Sequence, residues 1–175
     1  PINNEINRCL KQAVDFRVAY FDVNDFKPFN DHYGYAKGDQ VIQLLGRLIT
    51  QHASHPENFI GHIGGDDFVV IFGSAGWEES CHAILDSFAK SSCDLYAKQE
   101  REEGGVWALT RSKEKAYHSV LSLAVGVVNP DTFACKSHLD VSELAAEAKK
   151  EAKSIGGNAL FISRRRKIRV FRAQQ

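Results

Sequence analysis

The segment Gly64-Gly65-Asp66-Asp67-Phe68 stands between two apolar runs, Phe59-Ile60-Gly61-His62-Ile63 and Phe68-Val69-Val70-Ile71-Phe72. Two β-prone runs joined by paired glycines fold most simply as a tight hairpin, which places two carboxylates at its tip. Asp22 closes an earlier apolar run, Phe16-Arg17-Val18-Ala19-Tyr20-Phe21. If these runs are neighbours in one sheet, Asp22 and Asp66 meet at one edge. Carboxylates brought together repel unless a cation joins them, and hard oxygen ligands suit Mg²⁺.

A chain of 175 residues is most simply one domain with a substantial apolar core. The formal net charge is zero, so nothing draws the whole surface toward nucleic acid or anionic membrane, and a polyanion has to be bound locally. Cys9, Cys81, Cys93 and Cys135 include no C-x-x-C pair, which argues against zinc and for small buried hydrophobes in a reducing, cytoplasmic setting. No apolar stretch reaches the roughly 20 residues needed to cross a bilayer. The start at Pro1 and the lack of methionine read as a segment of a longer protein, whose other parts are where any membrane anchor would lie.

Periodicity supplies the elements. A short amphipathic helix is expected over 5–14, a strand over 16–22, and a helix from Asp39 through Val41, Leu44, Leu45, Leu48 and Ile49. A second long helix is expected from Trp77, a strand over 119–128, and a helix capped by Ser142 and ended by Gly156-Gly157. Within that last helix Leu144, Ala148, Ala152 and Ile155 share one face, and a short strand follows at 159–162. The polar stretch 98–118 around Gly104-Gly105 reads as a hairpin or a mobile insertion, and 164–175 as a basic tail, a solvated terminus or linker. Together these indicate an α+β fold with a mixed, largely antiparallel sheet flanked by helices.

The run from Phe21 to Asp39 (FDVNDFKPFNDHYGYAKGD), followed by Gly64-Gly65-Asp66-Asp67-Phe68, resembles the GGDEF domain of bacterial diguanylate cyclases, over about residues 1–163. The resemblance implies a fold like the nucleotide-cyclase (ferredoxin-like) catalytic core. It also implies an activity: condensation of two GTP into cyclic di-GMP with release of pyrophosphate. By position, Asp22, Asp66 and the Val23 carbonyl match the metal ligands, for Mg²⁺ or Mn²⁺, and Asp66 and Asp67 match the catalytic acids of the turn. Asn30 and Asp39 match the pair that reads guanine, whose N1–H and N2–H₂ donors suit an amide and a carboxylate. Lys27 and Lys153 match phosphate-contacting lysines, and Gly64 and Gly65 let the backbone pass near the α-phosphate. Each such domain holds one GTP, so the reaction implies a homodimer. A GGDDF turn and an insert before Leu121 resemble a subgroup attached to EAL phosphodiesterase or sensory domains.

Several positions depart from that pattern. Asp67 replaces the usual Glu, drawing the second acid back by about 1.5 Å on standard bond lengths. Asn24 replaces a common acid, and Gly157 stands where an arginine often helps hold phosphate. His55 and Asn58 occupy the places of the Arg-x-x-Asp product-inhibition site. A cyclase and a GTP-binding regulatory domain with little turnover therefore both remain open. Asn30 and Asp39 also suit a turn and a helix cap, Lys27 and Lys153 suit an exposed surface, and His62 is expected to pack rather than catalyse.

Overall fold

The computed structural model describes residues 1–109 and 114–166. The chain runs α1 (Ile2–Lys11), β1 (Arg17–Asn24), α2 (Phe26–Tyr33), α3 (Tyr35–Ala53), β2 (Phe59–Gly64), β3 (Asp67–Phe72) and α4 (Trp77–Ser92). A single 3₁₀ turn at Cys93–Leu95 leads to α5 (Lys98–Glu102), β4 (Gly105–Leu109), β5 (Lys115–Ser119), β6 (Ser122–Val128), α6 (His138–Ile155) and β7 (Ala159–Ile162).

Five strands form one sheet in the order β2-β3-β1-β6-β7, and β4-β5 form a separate hairpin. All pairings in the main sheet are antiparallel except β6 with β7, so the expected mixed, largely antiparallel sheet is present. Strand alternation sorts the core into two layers. Ala19, Phe21 and Val23 of β1, with Phe68, Val70 and Phe72 of β3, pack toward α3 and α4. Val18 of β1 and Val69 and Ile71 of β3 pack toward α1 and α6. Gly126 sets how closely α6 lies on the sheet, because a Cβ there would stand 2.4 Å from the Lys149 backbone nitrogen.

The helices differ from the sequence expectation in informative places. α1 ends at Lys11, with Ala13 at positive φ and Val14 exposed, so the last two apolar residues of that pattern lie beyond the helix. The polar, aromatic-rich stretch before Asp39 is helical as α2, and α3 begins at Tyr35; Gly34 at φ +84° makes the break between them. α6 starts a turn earlier than Ser142. Ser137 is the cap, its Oγ accepting from the Leu139 N–H at 3.2 Å, while Asp140 accepts from the Ser137 N–H at 2.9 Å. Ile155, on the expected buried face, is exposed at the helix end.

In the polar insertion, α5 and the β4–β5 hairpin form, and residues 110–113 lie outside the described residues. Of the basic tail, Arg165 pairs with Glu147 at 2.5 Å, and residues 167–175 lie outside the described residues. The four cysteines are free thiols, with Cys9, Cys81 and Cys135 buried. Among the described residues no helix is long and apolar enough to cross a membrane.

Candidate active site

β1 and β3 are antiparallel neighbours with Phe21 opposite Phe68, so the end of β1 and the β2–β3 turn arrive at the same edge. The Val23 N–H donates to Asp66 Oδ2 at 3.1 Å, which ties the turn to the strand carrying Asp22. His62 braces the turn from the other side. Its ring stacks on Phe68 at 4.2 Å and its Nε2 lies 2.8 Å from the Gly65 carbonyl, a packing role as expected. Gly64 and Gly65 take φ values of +152° and +56°, with no atom within 4 Å of where a Cβ would project. The turn therefore needs glycine for its backbone angles and leaves open space beside it.

Asp22, Val23, Lys27, Asp66 and Lys153 line one cavity of about 660 Å³, closed by Gly156 and Gly157 at the end of α6. Asp22 is only 5% exposed. Burial opposes its charge, yet hydrogen bonds from Lys149 and Lys153 outweigh that and hold the carboxyl below its ordinary value. Asp66 has the opposite balance: burial first, then the Asp22 charge, lift its carboxyl above the ordinary value. Two carboxylates of which one resists ionisation form a donor set that a hard cation would relieve. The residues thus fit a divalent metal held by Asp22 and Asp66, with Val23 beside them on the cavity wall.

Asp67 behaves differently from its neighbour. As the first residue of β3 it shares a face with Val69 and Ile71, toward α6, and its Oδ1 accepts from Lys149 Nζ at 2.6 Å. It is not among the residues lining the cavity. Lys149 also lies 2.7 Å from Asp22 Oδ2 and 4.8 Å from the centre of the Tyr20 ring. Burial opposes its charge, but its hydrogen bonds to Asp22 and Asp67 prevail and raise its affinity for the proton. Sequence reasoning missed this lysine. The available signal was spacing: Ala145, Lys149 and Lys153 recur at four residues, and Tyr20, Asp22 and Asp67 alternate onto the face that α6 covers.

Asn30 and Asp39 are not among the residues lining that cavity. Asn30 on α2 packs against Gly38 on α3, where a Cβ would stand 1.8 Å from Asn30 Oδ1. That oxygen is buried without a hydrogen-bond partner among the described residues. Asp39 follows Gly38, exposed on α3. Phe29 and Tyr33 of α2 hold the helix in place against Tyr96, with ring centres at 5.4 and 5.7 Å.

The departures from pattern have structural partners. Asn24 Nδ2 donates to Ser122 Oγ at 2.9 Å and to the Gly157 carbonyl at 3.1 Å. Gly157 sits at φ +63°, a conformation that an arginine side chain would disfavour. Asn58 is committed to the fold: its Oδ1 accepts from Ser74 Oγ at 2.9 Å and its Nδ2 donates to the Ala53 carbonyl at 3.0 Å.

Residues 1–103 match the family described as "Diguanylate cyclase, GGDEF domain". The probable diguanylate cyclase DgcC of Escherichia coli K12 is 32% identical over 84 residues, 48% of this chain and 22% of that protein's length. The chain thus spans about a fifth of that relative. Two crystal structures share the fold. The GGDEF domain of DgcB from Caulobacter crescentus, in complex with c-di-GMP, gives a TM-score of 0.64 at 22% identity, covering 91% of this chain and 84% of that one. The GGDEF domain of YfiN (TpbB) from Pseudomonas aeruginosa gives 0.66 at 18% identity, covering 93% and 92%. The strands that bring Asp22 and Asp66 together lie within the matched residues, and the chain belongs to the GGDEF domain family.

Proposed function

We propose that this domain is a diguanylate cyclase, joining two GTP into cyclic di-GMP with loss of two pyrophosphates. The observation that carries the reading is the meeting of Asp22 and Asp66 at one cavity that Lys27 and Lys153 also line, in a chain of the GGDEF family. Lys27 and Lys153 supply positive charge for the phosphates, and the open space beside Gly64 and Gly65 admits the α-phosphate. Asn30 and Asp39 read the guanine edge, with Gly38 fixing where Asn30 sits. A divalent cation, Mg²⁺ or Mn²⁺, held by Asp22 and Asp66 would stabilise charge on the attacking 3′-oxygen and the leaving pyrophosphate. Asp66, lining the cavity beside that cation, would take the proton of the 3′-hydroxyl.

Each domain presents one such cavity, so the reaction requires two domains face to face, and the homodimer is part of this proposal. So is an attached EAL or sensory domain in the full-length protein, in the cytoplasm or on its side of a membrane anchor. A second reading has its own observation: Asp67 is engaged by Lys149 rather than lining the cavity. Under that reading the domain binds GTP, turns it over poorly and regulates its neighbour.

The test is to incubate the domain, dimerised through an N-terminal coiled coil, with GTP and Mg²⁺ and to quantify cyclic di-GMP, alongside GTP affinity. Product that disappears in Asp66→Asn supports the cyclase. Tight GTP binding without product favours the regulatory domain, and the absence of GTP binding overturns both.

A further inference from the structure

The ammonium of Lys149 bridges Asp22 and Asp67 from the α6 side of this edge. Its Nζ lies 2.7 Å from Asp22 Oδ2 and 2.6 Å from Asp67 Oδ1. The other oxygen of Asp22 is taken by Lys153. The Lys149 side chain is 23% exposed and that of Asp22 only 7%, so their contact is poorly screened by solvent. Gly126 lets the α6 backbone at Lys149 sit directly on β6. Below it, the Tyr20 ring offers its face to the ammonium.

We propose that Lys149 is an internal counter-cation that competes with a divalent metal for Asp22, with Asp67 as its second partner. The inference rests on the reading of this cavity as a metal and nucleotide site. A divalent metal would draw on the charge of the Asp22 carboxylate, which the ammonium already neutralises at Oδ2. Two cations on one carboxylate divide its charge between them, and their like charges repel. Asp67 gives the lysine somewhere to go: the ammonium retires onto Asp67 when Asp22 turns to the metal. Lys149 is therefore a positioning residue that tunes how readily the site loads, and Asp67 is its resting partner.

The test measures metal binding rather than turnover. Mn²⁺ is titrated into the domain and followed by the electron paramagnetic resonance signal of the free ion, with and without a non-hydrolysable GTP analogue. Lys149→Met should bind Mn²⁺ about tenfold or more tightly than the unaltered domain, the scale of one close charge contact. Lys149→Arg, which keeps the charge, and Lys150→Met, which removes a neighbouring charge on the exposed side of α6, should each stay within about twofold. Lys149→Gln replaces Lys149→Met if the latter fails to fold.

Equal or weaker Mn²⁺ binding by the neutral variant overturns the proposal, as does an equal gain from Lys150→Met. If both forms bind the analogue with the same metal affinity, the lysine proposal alone falls. If neither form binds metal or analogue, the functional reading falls and this proposal falls with it.

Discussion

The Val23 N–H holds Asp66 Oδ2 at 3.1 Å, so the hairpin turn and the strand bearing Asp22 move as one unit. This contact fixes the separation between two acids that sit 44 residues apart in sequence. It also means that Asp66 can lose its charge without losing its anchor, since an amide oxygen accepts the same hydrogen bond.

Asp66→Asn is accordingly expected to abolish cyclic di-GMP formation, by at least about a hundredfold, while leaving the fold intact. Its unfolding midpoint should rise by about 2–4 °C, the shift that roughly 1 kcal/mol produces in a domain of this size. The gain follows from removing a carboxylate that burial and the Asp22 charge disfavour. Calorimetry beside a product assay checks both halves.

Asp22→Asn should cost stability, by about 2–3 kcal/mol, because it leaves Lys149 and Lys153 short of a buried partner. The cost is pH-dependent. The folded carboxyl lies below its ordinary value of 3.8, so its contribution is complete above that value and is lost as pH falls through the lower, folded one. Urea unfolding of the metal-free proteins should therefore show the two forms converging in strong acid and separated at neutral pH.

Gly38→Ala should weaken GTP binding by about tenfold or more, since its methyl would overlap Asn30 Oδ1 and force that side chain aside. Gly46→Ala, on the same helix, is the contrasting case. Its methyl would meet the Phe68 ring at 3.5 Å, an ordinary contact, and helix propensity should add up to about 1 kcal/mol. Calorimetric titration with a GTP analogue and thermal unfolding separate the two effects.

Asn24→Asp restores the acid common at that place in the family pattern but removes the donor to Ser122 and to the Gly157 carbonyl. It should destabilise the domain by about 1–2 kcal/mol and loosen the end of α6. Amide hydrogen exchange at residues 156–158 should rise in the variant; unchanged exchange there would remove Asn24 from any structural role.

Local pattern alone determined much of this protein. Short apolar runs at Phe59–Ile63 and Phe68–Phe72, with glycines between, specified the hairpin, because β-prone composition and turn chemistry are properties of neighbours in sequence. Spacing at three and four residues likewise placed α3 and α4. Helix ends were less legible: Ser142 was a plausible cap, but Ser137 with Asp140 satisfies the free N–H groups one turn earlier.

The role of Lys149 was beyond local reading altogether. A lysine on an amphipathic helix is ordinarily a solvated charge. Only the close seating of α6 on Gly126 brings this one over Tyr20 and between Asp22 and Asp67. The two acids of the turn are adjacent in the chain, yet strand alternation sends Asp67 toward α6 while Asp66 remains at the cavity. Sequence determined which residue types stand at this edge; tertiary packing decided which cation each of them faces.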